Sequence, residues 1–234
     1  MRGTGRWTAA AIIIALGACE SGSPTEPYNL VFDPANFVAG VDNPFFPLVP
    51  GTTFRFQGDT DEGVETVVVE VTGQTRTVQG IATTVVRDRV YLDGDLVEDT
   101  YDWFAQDRDG NVWYLGEDSH EIENGRVINS EGSWEAGVDG ALPGIIMWAD
   151  PAAHVGEAYF QEYYPGEAMD RGRVLGLGRA VQVPAGNFTD CLETEDWNPL
   201  EGGSIEHKFY CRGVGLVKEV GGSDVVVLTQ ITAP

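Results

Sequence analysis

The chain has 234 residues, 42% of them hydrophobic and 10% aromatic, so it is long enough to enclose a hydrophobic core. Its 14 basic and 37 acidic residues give a net charge of −23, and a charge of this sign repels nucleic acids and anionic membrane surfaces. Solubility is the simplest explanation of the acidic excess, and a cationic ligand or Ca²⁺ is the alternative.

The N-terminal residues have the pattern of an export signal. Arg2 and Arg6 precede an apolar run at 9–16, which is far shorter than the roughly 20 residues that a membrane-spanning helix needs. The run ends in Leu16-Gly17-Ala18-Cys19, which resembles the lipobox of bacterial lipoproteins. The resemblance implies that Cys19 becomes the first mature residue and carries acyl chains that hold the protein on a membrane.

These features divide the chain into three parts. We expect a lipoprotein signal peptide at 1–18, the lipidated Cys19 and a polar tether at 19–40, and a single domain at 41–234. The leader implies an exported protein that is lipid-anchored to the bacterial cell membrane or the outer membrane. Export also places the domain in an oxidising compartment, where disulfide bonds persist.

The domain begins with an extended segment. Prolines interrupt residues 42–51, so this segment cannot form a helix and suits a position that covers a sheet edge. We expect Phe45, Phe46 and Leu48 of this segment to pack under the sheet.

The remaining sequence predicts strands joined by tight turns. Apolar and polar residues alternate at 52–57, 65–72 and 81–91, as they do in half-buried strands. Residues 87–134 contain aromatic-rich runs that are separated by three dipeptides typical of hairpin turns: Asp93-Gly94, Asp109-Gly110 and Asn124-Gly125. Strand-like sequence resumes from 157 to 231. The predicted fold class is all-β, a strongly bent antiparallel meander sheet or half-open barrel of roughly 10 to 12 strands.

Two carboxylates of the first hairpin form a candidate site. If Asp93-Gly94 is the loop, Asp88 lies opposite Asp99 on a face that is otherwise apolar. Opposed carboxylates share a proton, hold a cation or repel each other. The alternatives are a shifted register and an exposed strand end. In the same register, the other face carries a charge ladder typical of a protein surface: Arg87, Arg89, Glu98, Thr100 and Asp102.

The second hairpin turn has a limited likeness to a calcium-binding loop. Asp107, Asp109 and Asn111 have the spacing of the first ligands of an EF-hand. Val112 stands in place of the glycine of that motif, and Asp118 in place of its bidentate glutamate. We therefore expect no metal or cofactor, with Ca²⁺ at this turn as the alternative.

Residues 136–155 break the strand pattern. They are rich in glycine and proline and contain an apolar cluster formed by Ile145, Ile146, Met147 and Trp148. A long loop in a compact domain is usually a lid, a binding loop or a plug. We expect this one to fill the end of the core, with contact to a ligand as the alternative.

Two cysteines lie in the domain. A turn centred near residue 201 places Cys191 directly opposite Cys211, within reach of a disulfide bond. The same register places Glu195 opposite His207, which is a minimal acid–base pair. A surface ion pair is the simpler interpretation of these two residues.

The sequence contains none of the common catalytic motifs. It has no GxSxG elbow and no SxxK run, and its three histidines lack the HxH or HExxH spacing of zinc sites. No glycine-rich stretch opens a helix, as a phosphate-binding loop must. Enzymatic activity is therefore the less favoured interpretation.

Three further motifs resemble a family of uncharacterised exported bacterial β-proteins. They are the proline-rich opening at 43–52, the segment Val183-Pro184-Ala185-Gly186-Asn187-Phe188, and the late strand Gly213-Val214-Gly215-Leu216-Val217-Lys218. The resemblance spans most of the domain. It implies the fold and the exported location, and it implies no activity.

Together these observations predict a membrane-anchored binding or carrier module of the cell envelope, with an apolar or amphipathic small ligand. A closed apolar cavity lined by Trp103, Trp148 and Tyr159 would favour this function. One alternative is a carboxylate-dependent, glycosidase-like hydrolase that uses one of the two residue pairs above. The other is a structural surface protein without a small ligand.

Overall fold

The computed structural model describes residues 27–200, 202 and 204–234. The predicted signal peptide, Cys19 and the first part of the predicted tether lie outside the described residues. Within the described ranges there is no α-helix, and two 3-10 helices occur at Pro34–Asn36 and Pro151–His154. No helix in this part of the chain has the length and apolar character needed to cross a membrane.

All sixteen strands of the described part of the chain belong to one antiparallel sheet. The strands are β1 (Phe37–Val38), β2 (Thr53–Thr60), β3 (Gly63–Val78), β4 (Ile81–Leu92), β5 (Asp95–Asp107), β6 (Val112–Glu123), β7 (Arg126–Asn129), β8 (Trp134–Glu135), β9 (Leu142–Met147), β10 (Ala158–Phe160), β11 (Glu162–Tyr163), β12 (Arg171–Val183), β13 (Gly186–Trp197), β14 (Ile205–Cys211), β15 (Gly215–Gly221) and β16 (Asp224–Thr232). The path through the sheet is β10-β12-β13-β14-β15-β16-β2-β3-β4-β5-β6-β9-β11.

The two ends of this path meet. β10 pairs with β12 and β11 pairs with β9, yet both terminal strands belong to the short segment 158–163. A Cβ atom on Gly144 of β9 would overlap the backbone oxygens of Phe160 and Gln161, so the two edges approach closely there. The sheet is nearly closed into a barrel with one seam, which confirms the predicted all-β fold.

The residue types at two hairpin turns explain the backbone conformation of these turns. Asp93 and Gly94 have φ angles of 51° and 93° and join β4 to β5, and Asn124 and Gly125 have φ angles of 51° and 72° and join β6 to β7. Asp, Asn and Gly tolerate this left-handed region, which two-residue hairpin loops require. These two of the three predicted turns are confirmed.

A β-bulge changes the register inside the first of these hairpins. Val97 on β5 has no partner on β4. Beyond Val97 every pair is shifted by one residue, so Asp88 lies opposite Thr100. The expected pairing of Asp88 with Asp99 is wrong, because a turn determines the register only as far as the first bulge.

The shift also decides which side chains face the barrel interior. Six residues share the buried, inward-facing side of β4 and β5: Val86, Asp88, Val90, Glu98, Thr100 and Asp102. The expected surface ladder is therefore divided. Arg87 and Arg89 lie on the outer face, whereas its three members on β5 are buried inside the barrel.

The proline-rich segment covers one end of the barrel. Phe45 and Leu48 are buried, and Phe46 packs its ring against Phe104, with 5.2 Å between the ring centroids. The segment is fixed to the β14–β15 turn because the backbone N–H of Gly213 donates to the carbonyl of Pro44. The expected packing of these aromatic residues under the sheet is confirmed.

The apolar cluster at 145–148 lies mostly in a strand. Ile145 and Met147 are fully buried in β9, which pairs with β6. The expectation of a loop is wrong because a continuous apolar run without alternation is also typical of a strand that is buried on both faces. The side chains nevertheless fill the core.

Candidate ligand-binding site

A cavity of about 100 Å³ lies inside the barrel, at the end that the proline-rich segment covers. Half-buried apolar side chains line its opening: Phe46, Pro47, Phe54, Val69, Val214 and Leu216. Four charged side chains lie deeper and form its floor: Asp88, Asp102, Lys208 and Glu219. A volume of this size holds about three water molecules, or one end of a small organic molecule.

Carboxyl groups dominate the charge inside the barrel. The buried charged side chains on the inner face of β3, β4 and β5 are all acidic: Glu65, Asp88, Glu98 and Asp102. Burying carboxylates away from water is costly unless cations or protons neutralise them. The arrangement of cations and protons therefore determines what this interior can bind.

Lys208 on β14 neutralises the opposite side of the interior. Its Nζ atom lies 3.4 Å from Asp196 Oδ2, 3.4 Å from Glu206 Oε2 and 3.9 Å from Glu219 Oε1. Burial lowers the pKa of Lys208, but the nearby carboxylates raise this pKa by more, so the lysine stays charged. Burial raises the pKa of Glu219 to about 7, although Lys208 acts in the other direction.

Tyr114 connects two further carboxyl groups. Its hydroxyl oxygen lies 2.5 Å from Asp102 Oδ1 and 2.9 Å from Glu117 Oε2. A phenol has one proton and donates to one of them, so the other carboxyl group must carry a proton and donate to the phenol oxygen. Burial raises the pKa of Glu117 well above its ordinary range and that of Asp102 to about 7. The pair of carboxyl groups therefore holds one proton in addition to that of the phenol.

Asp88 lies on the cavity floor with one oxygen atom unused. Its side chain is 4% exposed, and Oδ1 accepts no hydrogen bond from any described residue. Burial raises the pKa of Asp88 well above its ordinary value. Four neighbouring carboxyl groups raise it further: Asp102, Glu98, Glu219 and Glu65. A buried acceptor without a donor costs about 1–3 kcal/mol, so a donor that enters the cavity gains a ready partner.

Asp99 has a different environment from Asp88. It lies on the outer face, where Nε and Nη2 of Arg87 each donate a hydrogen bond of 2.7 Å to its carboxylate. The structure therefore does not bring Asp88 and Asp99 together. The aspartate that shares the cavity with Asp88 is Asp102.

The predicted register of β13 and β14 is confirmed, but the side chains of the predicted acid–base pair bond to other partners. Glu195 lies opposite His207, yet His207 Nδ1 lies 2.9 Å from Glu193 Oε1. Glu195 instead accepts a 2.9 Å hydrogen bond from Arg173. These side chains are partly exposed and lie outside the cavity lining. The hydrolase alternative thus lacks both residue pairs on which it depended.

The disulfide bond between Cys191 and Cys211 is present, as the sequence predicts. The two cysteines are directly opposed on β13 and β14 and are fully buried. The bond therefore joins the strand that carries Lys208 to its neighbour.

The carboxylate of Asp107 accepts hydrogen bonds from residues in and next to its own turn. It accepts 2.9 Å hydrogen bonds from the backbone and side-chain nitrogens of Asn111 and from the indole nitrogen of Trp113. The side-chain Oδ1 of Asn111 in turn accepts a hydrogen bond from the backbone N–H of Ala149. Across the described ranges, no group of three or more His, Cys, Asp or Glu side chains is arranged to hold a metal ion. Calcium binding by Asp107, Asp109 and Asn111 stays an untested alternative.

The cavity lining differs from the expected aromatic one. Ile146 is the member of the 145–148 cluster that lines it. Trp148 stacks on His154, with ring centroids 3.9 Å apart, and lies edge-on to Tyr159. Trp103, Trp148 and Tyr159 do not line the cavity, because phenylalanine and aliphatic side chains occupy its opening.

A second cavity of about 230 Å³ lies at the opposite end of the same strands. It is strongly acidic and is lined by Glu62, Glu65, Glu98, Glu121 and Glu123. Burial raises the pKa of Glu65 to about 8. The acidic interior therefore continues from the floor of the first cavity towards the hairpin turns.

The sequence interpretation missed Asp102, Lys208 and Glu219 as site residues. Strand alternation was the signal that could have identified them. A charged residue in step with buried apolar residues marks an inward-facing position, as Glu219 does after Val217 and Asp102 does before Phe104.

No family model and no curated protein sequence matches the chain. A crystal structure of a "putative lipoprotein" from Parabacteroides distasonis is similar, with a TM-score of 0.44 and 12% sequence identity. The similarity covers 80% of this chain and 98% of that chain. A match at this level supports no conclusion about family or function.

Proposed function

We propose that this protein is a non-enzymatic binding module that takes up a small amphipathic molecule in the cavity. The observation that supports this most is the contrast between the apolar opening and the buried charged groups of the floor. Ligand sites commonly combine apolar walls with a few polar groups that fix the orientation. The contrast orients the ligand, with its polar end towards Asp88 and its apolar part against Phe54 and Leu216.

The size of the cavity limits the ligand. Typical small-molecule sites enclose about 300–1,000 Å³, and this cavity has about 100 Å³. It therefore encloses a very small molecule or the polar end of a longer one, whose remainder lies along the apolar opening.

The second part of the proposal concerns location. We infer that the module is held at the bacterial cell envelope by lipid on Cys19. The lipobox-like sequence Leu16-Gly17-Ala18-Cys19 supports the anchor. The disulfide bond between Cys191 and Cys211 supports an exported location, because such bonds persist in oxidising compartments.

Native mass spectrometry of the full-length chain, extracted in mild detergent, tests the binding function. Leu216→Trp fills the cavity opening, and Val225→Trp adds the same side chain at a position that is 38% exposed. We expect a co-purified small molecule on the wild type and on V225W, and a much lower occupancy on L216W. If all three proteins show only the mass of the unliganded chain, or if L216W has the same ligand occupancy as the wild type, the proposal is contradicted.

Fractionation of cells tests the anchor. Cys19→Ser removes the acceptor of the lipid, so we expect the variant to leave the membrane fraction and to lose the incorporation of labelled palmitate. A C19S protein that stays in the membrane fraction would contradict the lipid anchor.

A further inference from the structure

The barrel interior already contains one ammonium group surrounded by carboxylates. Lys208 Nζ has three carboxyl groups within 4 Å, those of Asp196, Glu206 and Glu219. The chain therefore shows which kind of group its own acidic interior accepts: a compact cation with several N–H donors.

Asp88 and Asp102 line the other side of the cavity, and Lys208 is the one cation among the described residues that line it. The buried charged residues of β3, β4 and β5 are all acidic, and Asp88 among them has an oxygen without a hydrogen-bond donor from the described residues. Asp88 lines the cavity, so its side chain borders the space behind the opening. The net charge of −23 attracts cations to the protein as a whole.

We propose that the ligand of this cavity is an organic cation, a protonated primary amine on a short apolar chain, which binds beside Asp88 and displaces a proton from the carboxyl groups there. The inference rests on the proposed function and names the chemical class of its ligand. The exchange balances in charge: one ammonium ion enters, one carboxylic acid gives its proton to solvent, and an ammonium–carboxylate pair remains.

The groups around Asp88 make this exchange depend on pH. Glu65 faces it from β3, Glu98 and Asp102 from β5, and Glu219 from β15. As pH rises, these carboxyl groups lose protons and attract a cation more strongly. Lys208 on β14 keeps its positive charge and repels a second cation, so the favourable position is the β4 side of the cavity. Affinity for the amine therefore rises from about pH 6 to pH 8, by up to about tenfold per pH unit for each proton released.

Isothermal titration calorimetry of the full-length chain tests the inference with two probes of equal chain length, butylammonium and 1-butanol. Asp88→Asn removes the charge and keeps the size of the side chain. Asp118→Asn makes the same change on the outer face of β6, where Asp118 is exposed. We expect D88N to weaken butylammonium binding by about tenfold or more, and D118N to leave it unchanged. Binding of 1-butanol stays the same in all three proteins.

Proton release is measured in the same titrations by repeating them at pH 7 in phosphate and in HEPES, whose ionisation enthalpies differ. We expect the observed heat for butylammonium to differ between the buffers and the heat for 1-butanol not to differ. Glu219→Gln, which also changes the cavity floor, should weaken butylammonium binding as well and provides a second test if D88N fails to fold.

The outcomes separate the inference from the proposed function. If 1-butanol binds at least as tightly as butylammonium and D88N has no effect, the cation inference is wrong and the binding module stands. If the observed heat of butylammonium binding is the same in both buffers, the proton exchange is refuted. Failure of both probes to bind would overturn the cavity as the binding site altogether.

Discussion

Carboxylates on the two faces of the sheet have different partners. On the outer face, arginine side chains bind them directly: Arg87 binds Asp99 at 2.7 Å, and Arg173 binds Glu195 at 2.9 Å. On the inner face, Asp102 and Glu117 share the single hydroxyl of Tyr114, and Asp88 has an unused oxygen. The outer carboxylates are neutralised by fixed cations, whereas much of the inner set is neutralised by protons, which a cation or a rise in pH can remove.

The largest effect is expected from removing the one cation on the cavity floor. Lys208→Met leaves Asp196, Glu206 and Glu219 without their common partner, so we expect a loss of about 3–5 kcal/mol in the free energy of unfolding at pH 8. The loss should be smaller at pH 5, because burial raises the pKa of Glu206 and of Glu219 and these two carboxyl groups take up protons as the pH falls. Urea unfolding of the full-length chain measures both values.

Lys218→Met on β15 is the matched control for this experiment. Lys218 is partly exposed, with its Nζ 5.6 Å from the ring centroid of Phe209, and its loss should cost less than about 1 kcal/mol. Equal effects of K208M and K218M would refute the special role of Lys208.

A smaller loss is expected from Tyr114→Phe. The variant removes the hydroxyl that lies between Asp102 and Glu117, so it leaves buried carboxyl groups without a partner. We expect a loss of about 1–3 kcal/mol in the free energy of unfolding at pH 7. Tyr163→Phe, whose ring packs against Phe160 at 4.9 Å, is the control and should change this quantity by less than about 0.5 kcal/mol. A Y114F protein as stable as Y163F would show that the shared hydroxyl is unimportant.

Asp88→Asn is expected to stabilise the protein. Burial raises the pKa of Asp88 in the folded state above its unfolded value, so the folded state binds more protons between the two pKa values. The free energy of unfolding of the wild type therefore falls as pH rises through this window. That of the variant does not fall for this reason, because the variant has no carboxyl group at this position. We expect a gain of about 1–2 kcal/mol at pH 8 and a smaller gain at pH 5. Thermal unfolding at both pH values measures this, and a destabilised D88N protein at pH 8 would contradict it.

The smallest effect is expected on the outer face. Arg87→Met removes the partner of Asp99, but the arginine side chain is 30% exposed and water screens the pair. We expect a loss of no more than about 1 kcal/mol, with the same value at pH 6 and pH 8. A loss as large as that of K208M would remove the distinction between the two faces.

The sequence was informative wherever local chemistry decides the structure. The turn residues Asp93-Gly94 and Asn124-Gly125 predicted two hairpins, because their φ angles are restricted by the backbone itself. The pairing of Cys191 with Cys211 was also predictable, because no bulge lies between these cysteines and the turn that joins β13 to β14.

The acidic interior could not be predicted in the same way. The bulge at Val97 depends on tertiary packing and has no turn signal, yet it decides that Asp88 faces Thr100 and not Asp99. The sequence places Glu98 and Asp102 on the surface because a register without a bulge puts them on the face of Arg87 and Arg89. Their burial depends on proton uptake and on residues far away in sequence, which hairpin patterns do not show.

Titration of the side-chain carboxyl carbons by ¹³C NMR, in the full-length chain labelled at Asp and Glu, tests most directly whether protons neutralise the inner face. We expect carboxyl resonances with midpoints near pH 7 that disappear in D102N and E219Q, since the pKa of Asp102 and of Glu219 is about 7. Complete ionisation of every carboxyl group below about pH 5.5 would contradict a proton-neutralised interior.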